Sequence, residues 1–214
     1  MSKIYRINKK GITLIELLVA FAICGLVVAG IYRVFLAQTK AYTVQDQVVE
    51  VQQNIRSGME ILLRDLRMAG YDSDSSTSKI TIANPILVDL AKGDHEVTVN
   101  YEYDDTHRYE ITYSLTGGSL TRQLTIHPDV GGATTTTDAI LENVDALNFE
   151  YGVDNNGDGV LEWVPAAGIG TAKVVAVRVT LTAKPDQTNP DVKEWVSPRT
   201  LITTVALRNQ TFTL

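Results

Sequence analysis

The chain has 214 residues, 44% of them hydrophobic, with one cysteine, three histidines and a formal net charge of −6. That length suits a membrane element plus one domain rather than two large domains. A single cysteine excludes an intrachain disulfide framework and a Cys-rich zinc site, and the acidic balance leaves no surplus of Lys and Arg for broad nucleic-acid binding.

The charge is polarised along the chain. Residues 1–11 hold four bases, Lys3, Arg6, Lys9 and Lys10, and no acid, while the remaining 15 bases are outnumbered by all 25 acids. Residues 12–32 (ITLIELLVAFAICGLVVAGIY) then carry a single charge, Glu16, and no proline. Such a stretch reaches the roughly 20 residues that a helix needs to cross a bilayer. Its uncharged part, 17–32, spans only if Arg33 snorkels and Glu16 lies near the interface or finds a partner. The basic flank places residues 1–11 in the cytoplasm and the remainder outside it. A plain secretory signal peptide shares the basic start and apolar core. Against it stand Glu16, the length of the apolar run, and a helical pattern that continues far beyond it.

Glu16 requires compensation, because a charge at the bilayer centre costs on the order of 2.5–3.5 kcal/mol. Two compatible readings exist. Thr13 and Glu16 have the T-x-x-E spacing of a capping box, in which the carboxylate reaches back to free donors at the helix start. Alternatively, Glu16 pairs with a positive group from a neighbouring chain, such as an amino terminus freed at Ile12 by a cut after Gly11.

The string Lys9-Lys10-Gly11 followed by ITLIELLVA resembles the class III signal of type IV prepilins and type II secretion pseudopilins. The resemblance implies cleavage after Gly11 by an inner-membrane prepilin peptidase, N-methylation of Ile12, and an assembly role for Glu16. The family usually begins its mature chain with Phe, where this sequence has Ile12.

Past the membrane segment no proline occurs before Pro85, and apolar residues recur at Val44, Val48, Val51, Ile55, Met59, Leu62 and Leu66. Those spacings trace one helix face, so a helix over 12–69 is expected, with its second part lying against a folded domain. Cys24 reads as a small apolar residue of the span. Gly70 suits a left-handed cap, and Arg64 and Arg67 suit the negative end of the helix dipole. The string 63–71 (LRDLRMAGY) is similar to the helix end of PilW-type minor pilins, and more loosely to J-type minor pseudopilins of type II secretion.

Residues 72–79 (DSDSSTSK) read as a polar linker. The period then changes to that of strands, at 96–103, 108–115 and 119–126, with turns at Asp104-Asp105 and Gly117-Gly118, predicting an antiparallel meander. Further strands are expected at 147–153, 160–164, 173–183 and 199–208, and residues 131–137 (GGATTTT) as an exposed loop. One sheet wrapped against the amphipathic helix would bury both apolar faces. The closing VALRN at 205–209 is similar to the C-terminal end of PilW-type proteins.

One loop carries metal-binding composition. Asp154, Asn156, Asp158 and Glu162 fall at positions 1, 3, 5 and 9 of a calcium-loop numbering, around Gly157 and Gly159. Position 12 is Pro165, so the loop is not an EF-hand. The two readings are a tight hairpin turn and a hairpin that also binds Ca²⁺. His95, His107 and His127 are scattered, without a metal pair, triad or phosphate-binding glycine loop, so no enzyme is expected.

With the resemblance, these readings predict an α+β, type IV pilin-like fold in which a long N-terminal helix, transmembrane then amphipathic, packs on a C-terminal antiparallel β-sheet domain. The expected division is a leader at 1–11, a transmembrane helix at 12–33, an amphipathic continuation at 34–70 and an extracytoplasmic β-rich domain at 71–214. The implied role is a minor pilin that acts in pilus assembly or initiation. The alternatives are a J-type pseudopilin and a membrane-anchored binding domain that never polymerises. Implied partners are other pilins, the prepilin peptidase, an inner-membrane assembly platform and, before assembly, lipid. The implied location is the inner membrane, N-in with a periplasmic domain, and then the pilus or pseudopilus.

Overall fold

The computed structural model describes residues 11–73, 81–154, 160–186 and 188–207. The chain divides into two compact units, one ending at Gln45 and the other beginning at Asp46.

A single helix, α1, runs Leu14–Met68, starting two residues later and ending one earlier than its periodicity predicts. Within the first unit every residue from 14 to 39 is exposed, and the best 18-residue window has a mean hydropathy of 2.7. A helix that is apolar on all sides and exposed on all sides is one whose natural surroundings are lipid or other helices. Within the second unit the helix becomes amphipathic. Val51, Ile55, Met59, Leu62 and Leu66 are buried, the last two fully, as their 3- and 4-residue spacings require. Gly58 shares that face and permits close approach, since a Cβ there would already touch Leu141 at 3.5 Å.

The helix stops where Gly70 takes φ +72°, a conformation that glycine adopts without a Cβ penalty. The chain then turns onto the sheet. Gly70 N–H donates to the carbonyl of Asn100 at 2.9 Å, and Glu102 N–H donates to the carbonyl of Tyr71 at 2.8 Å.

Two antiparallel sheets pack with the helix, where one had been expected. The first has the order β1-β2-β3-β4-β5, formed by Ile86–Leu87, Glu96–Asp104, His107–Thr116, Ser119–Pro128 and Thr134–Leu141. The second has the order β7-β6-β8-β9, formed by Val144–Val153 (β6), Glu162–Val164 (β7), Val174–Ala183 (β8) and Arg199–Ala206 (β9). The meander is present as predicted. Gly117 and Gly118 both have positive φ, and Thr116 faces Ser119, which makes the two-residue primed turn that matches the strand twist.

The expected loop at 131–137 is a correction: Thr134 to Thr137 begin β5, in register with Ile126 to Gln123 of β4. Threonine is β-branched, and Thr125 and Thr135 pair their hydroxyl oxygens at 3.0 Å, so β propensity outweighs the low-complexity composition. The sequence pattern also passes over a short helix, α2, at Pro190–Trp195, which buries Val192. Asn189 followed by Pro190 was its readable signal, because Pro suits the first helical position. Most of the expected linker, 74–79, lies outside the described residues.

The core joins one face of α1 to the inner faces of both sheets. Leu62, Leu66, Val97, Ile111, Tyr113, Leu120, Phe149, Val177 and Leu181 are among its fully buried members. Each such side chain contributes roughly 1.5–3 kcal/mol of burial.

Candidate functional site

The helix start is built by three residues. Glu16 Oε2 accepts the Thr13 backbone N–H at 2.8 Å and the Thr13 hydroxyl at 2.9 Å, while Glu16 N–H donates to Thr13 Oγ1 at 3.3 Å. This is the reciprocal capping box that the T-x-x-E spacing predicts, and it satisfies donors that no helical carbonyl can reach. Ile12, immediately before it, is 80% exposed. Among the described residues, a Cβ added to Gly11 would meet nothing within 4 Å. Gly25 and Gly30 are equally open. Cys24 is exposed along with the apolar residues around it.

At the other end of α1 the structure supplies a residue that the sequence pattern passed over. Asp65 is 2% exposed on the apolar face, one turn beyond Leu62. Its Oδ2 accepts the Tyr113 hydroxyl of β3 at 2.7 Å and Arg122 Nε of β4 at 2.8 Å, and Arg64 Nε stands 3.5 Å from Oδ1. One carboxylate thereby fastens the helix to two strands, 48 and 57 residues away in sequence. Burial on its own would lower the Arg122 guanidinium, but the Asp65 carboxylate more than offsets this and holds it above its ordinary value. Burial, reinforced by Asp65, pushes the Tyr113 phenol upward, and the same two causes lift Tyr101 to about 12. The readable signal was an acid at a helix position that the 3.6 period turns inward.

The string 63–71 gains physical meaning from this geometry. Leu63 and Leu66 fill the core, Asp65 grips the sheet, Gly70 ends the helix and Tyr71 pairs with β2. Around it, buried Glu102 accepts the backbone N–H and hydroxyl of Ser73. Asn100 donates to the Asn84 carbonyl at 3.0 Å and accepts from Arg108 at 2.8 Å. The segment after the helix is therefore fixed across the meander by buried polar groups, each with a partner.

The calcium-loop candidates are partly described. Asp154 follows β6 and Glu162 opens β7, and because Val153 faces Glu162 the two acids flank the base of one hairpin. Asn156 and Asp158 lie outside the described residues. Among the described residues no group of three or more His, Cys, Asp and Glu converges as a metal would need. The three histidines are apart: His95 Nδ1 donates to the Leu147 carbonyl at 2.8 Å, His107 meets Asp104 at 2.8 Å, and His127 stands 3.4 Å from Glu110. A hollow of about 630 Å³ opens between residues 83–90 and 166–174, and among the described residues of its lining Lys173 is the ionisable one.

Comparison with protein families gives two matches. The prokaryotic N-terminal methylation motif matches residues 6–32, and the family described as type IV Pilus-assembly protein W matches residues 108–206. The chain thus carries a prepilin-type N-terminal motif, and its residues 108–206 are similar to type IV Pilus-assembly protein W. Comparison with curated proteins finds no match. The PilW match begins in β3 and ends in β9, so it covers Tyr113 and Arg122 and lies beyond Asp65 and the 63–71 string. The methylation motif brackets Gly11, Ile12 and Glu16 together with the start of the exposed apolar helix. The two matches support a type IV pilus-related pilin with a structural role, and the N-terminal motif and apolar helix fit a membrane-anchored one.

Proposed function

We propose that this chain is a minor pilin, a structural subunit made as a membrane-anchored precursor and built into a type IV pilus or its initiating complex. Prepilin peptidase cleaves after Gly11, Ile12 becomes the N-methylated first residue, and Glu16 meets the amino terminus of a neighbouring subunit. The carrying observation is the coincidence of the methylation motif with a helix segment, residues 14–39, that is exposed throughout and mostly apolar. Packed among sister helices, that surface leaves lipid without entering water, and the pairing of Glu16 offsets its desolvation.

The domain after residue 71 is periplasmic in this reading, the basic flank stays cytoplasmic, and the assembly platform is a separate membrane protein. N-terminal sequencing with intact mass tests the proposal. The native protein should begin at Ile12 and carry one extra methyl, and a native protein that retains Met1 to Gly11 would overturn it.

The same N-terminal chemistry would serve a J-type pseudopilin in a secretion system. A membrane-anchored binding domain that never polymerises would keep its leader, so the sequencing experiment separates that alternative directly.

A second, smaller proposal concerns the β6–β7 hairpin: Asp154, Asn156, Asp158 and Glu162 bind Ca²⁺ and stiffen it. What favours it is that Asp154 directly follows β6 while Glu162 opens β7 opposite Val153, so the two acids flank the hairpin base. Trp163 adjoins Glu162, and its ring lies against Gly152 with Arg178 4.1 Å above it, so its fluorescence reports on the hairpin. Calcium should raise the melting temperature and shift that emission, both reversed by chelator. A flat response in both removes the ion.

A further inference from the structure

We propose that the two long outer strands form a subunit interface, in which β5 of one copy adds to β9 of the next and joins a sheet of one molecule to a sheet of its neighbour. The proposal rests on the assembly reading above, because a polymerising chain is what brings copies side by side.

The strand orders place β5 at one end of the first sheet and β9 at one end of the second. Each is eight residues long, whereas the opposite ends, β1 and β7, have two and three residues. A short edge is one of the devices by which proteins prevent strand addition; others are lysine, proline and bulges that turn the edge away. The edges β1 and β7 use brevity. Neither β5 (TTTTDAIL) nor β9 (RTLITTVA) contains lysine or proline, and both are rich in threonine, a strand former; β5 has a bulge at Ile140, which leaves Thr134–Ala139 as its regular edge.

Both edges are open among the described residues. Thr134 to Ala139 are all exposed, and on β9 so are Thr200, Ile202 and Thr204. In an antiparallel strand every second residue directs its N–H and C=O to the same side, so an eight-residue edge offers about four residues for pairing. What such an edge recognises is therefore another extended backbone, and side-chain charge selects which one.

The charges select β9 against β5. Residues 129–143 hold three acids, Asp129, Asp138 and Glu142, and no base, while residues 196–207 hold one base, Arg199, and no acid. Pairing β5 with β5 sets acids near acids, and pairing β9 with β9 sets arginine near arginine. An antiparallel overlay of Thr134–Ala139, the regular part of β5, on 201–206 of β9 puts the Arg199 end of β9 toward the end of β5 that Glu142 follows. Because the two edges differ, the contact is heterologous, and each copy still presents one free β5 and one free β9 at the ends of a row. A row that grows head to tail is the geometry a filament or tip complex needs.

The test uses the full chain in detergent micelles, in a Cys24→Ala background, with single cysteines introduced by Thr136→Cys or Thr204→Cys and a short bismaleimide cross-linker. Mixing the two variants should give cross-linked dimer about tenfold above either variant alone, the difference expected if the opposite-charge edges are preferred by one factor of ten in affinity. Adding Thr135→Lys to the Thr136→Cys chain should return the mixture to the single-variant level, with far-UV circular dichroism unchanged. Dimer no higher in the mixture than in either variant alone, from folded protein, would overturn the proposal, as would equal cross-linking of Thr136→Cys to itself. Intact mass on the same preparation keeps the two readings apart. A retained leader counts against assembly alone, and a trimmed chain whose edges do not cross-link counts against the edge contact alone.

Discussion

Replacing Asp65 by alanine should destabilise the folded domain by about 3 kcal/mol, because removing one partner of a buried charge pair leaves the other without compensation. The guanidinium of Arg122 and the hydroxyl of Tyr113 both donate to the same oxygen, Asp65 Oδ2, and Tyr113 is fully buried. Arg122 keeps 16% of its side-chain exposure, so water recovers part of its loss and the effect falls toward the low end of the usual range. Tyr113→Phe removes one hydrogen bond from Asp65 but leaves the charge pair intact, and should cost about 1–2 kcal/mol. Asp65→Asn keeps acceptors in place without the charge and should fall between the two. Chemical denaturation of the three variants checks the order. Equal losses for Asp65→Ala and Tyr113→Phe would show that the ion pair contributes nothing beyond the hydroxyl contact.

That residue also marks where the sequence was legible and where it was not. The inward face of α1 was readable because its apolar residues repeat at helical spacing, and Val51, Ile55, Met59, Leu62 and Leu66 are all buried. Asp65 sits on that same inward face, but a pattern read from apolar residues alone passes over it. Only the strands reveal its partners, since Tyr113 and Arg122 lie about fifty residues downstream and no local rule couples them to the helix. The same limit applies to the division into two sheets. Strand periodicity at 144–153 and 174–183 gives strands, but which sheet each strand joins is decided by long-range pairing. The strand Thr134–Leu141 was lost for a different reason: a run of threonines reads as low complexity, although threonine pairs well across a sheet.

The helix start was legible in more detail, because its geometry is local. Four consecutive residues, Thr13 to Glu16, contain both partners of the capping box, and no distant element is needed to form it. Locality also explains why the two readings of Glu16 survive side by side. A capping bond through Oε2 settles what the carboxylate does inside one chain, while any contact with a second chain involves groups that one chain does not hold.

A pair of substitutions at that position separates the two readings. Glu16→Gln keeps a side-chain oxygen that can accept the Thr13 donors, so it preserves the cap and removes the charge; Glu16→Ala removes both. If capping were the whole role, Gln would behave nearly as Glu, and Ala would cost only about 0.5–2 kcal/mol at the helix start. If Glu16 instead pairs with a neighbouring amino terminus, each variant leaves that positive charge unmatched in an apolar bundle. The cost is then about 2.5–3.5 kcal/mol, or roughly a hundredfold in the equilibrium for entering the filament. Both variants should therefore deplete the chain from sheared pili to a similar extent, while trimmed protein accumulates normally in the membrane fraction. Quantitative immunoblots of the two fractions read the difference. A Glu16→Gln chain that enters pili as well as the native one would reduce Glu16 to a helix cap, and the charge pairing would have to be abandoned while the cleavage after Gly11 stood.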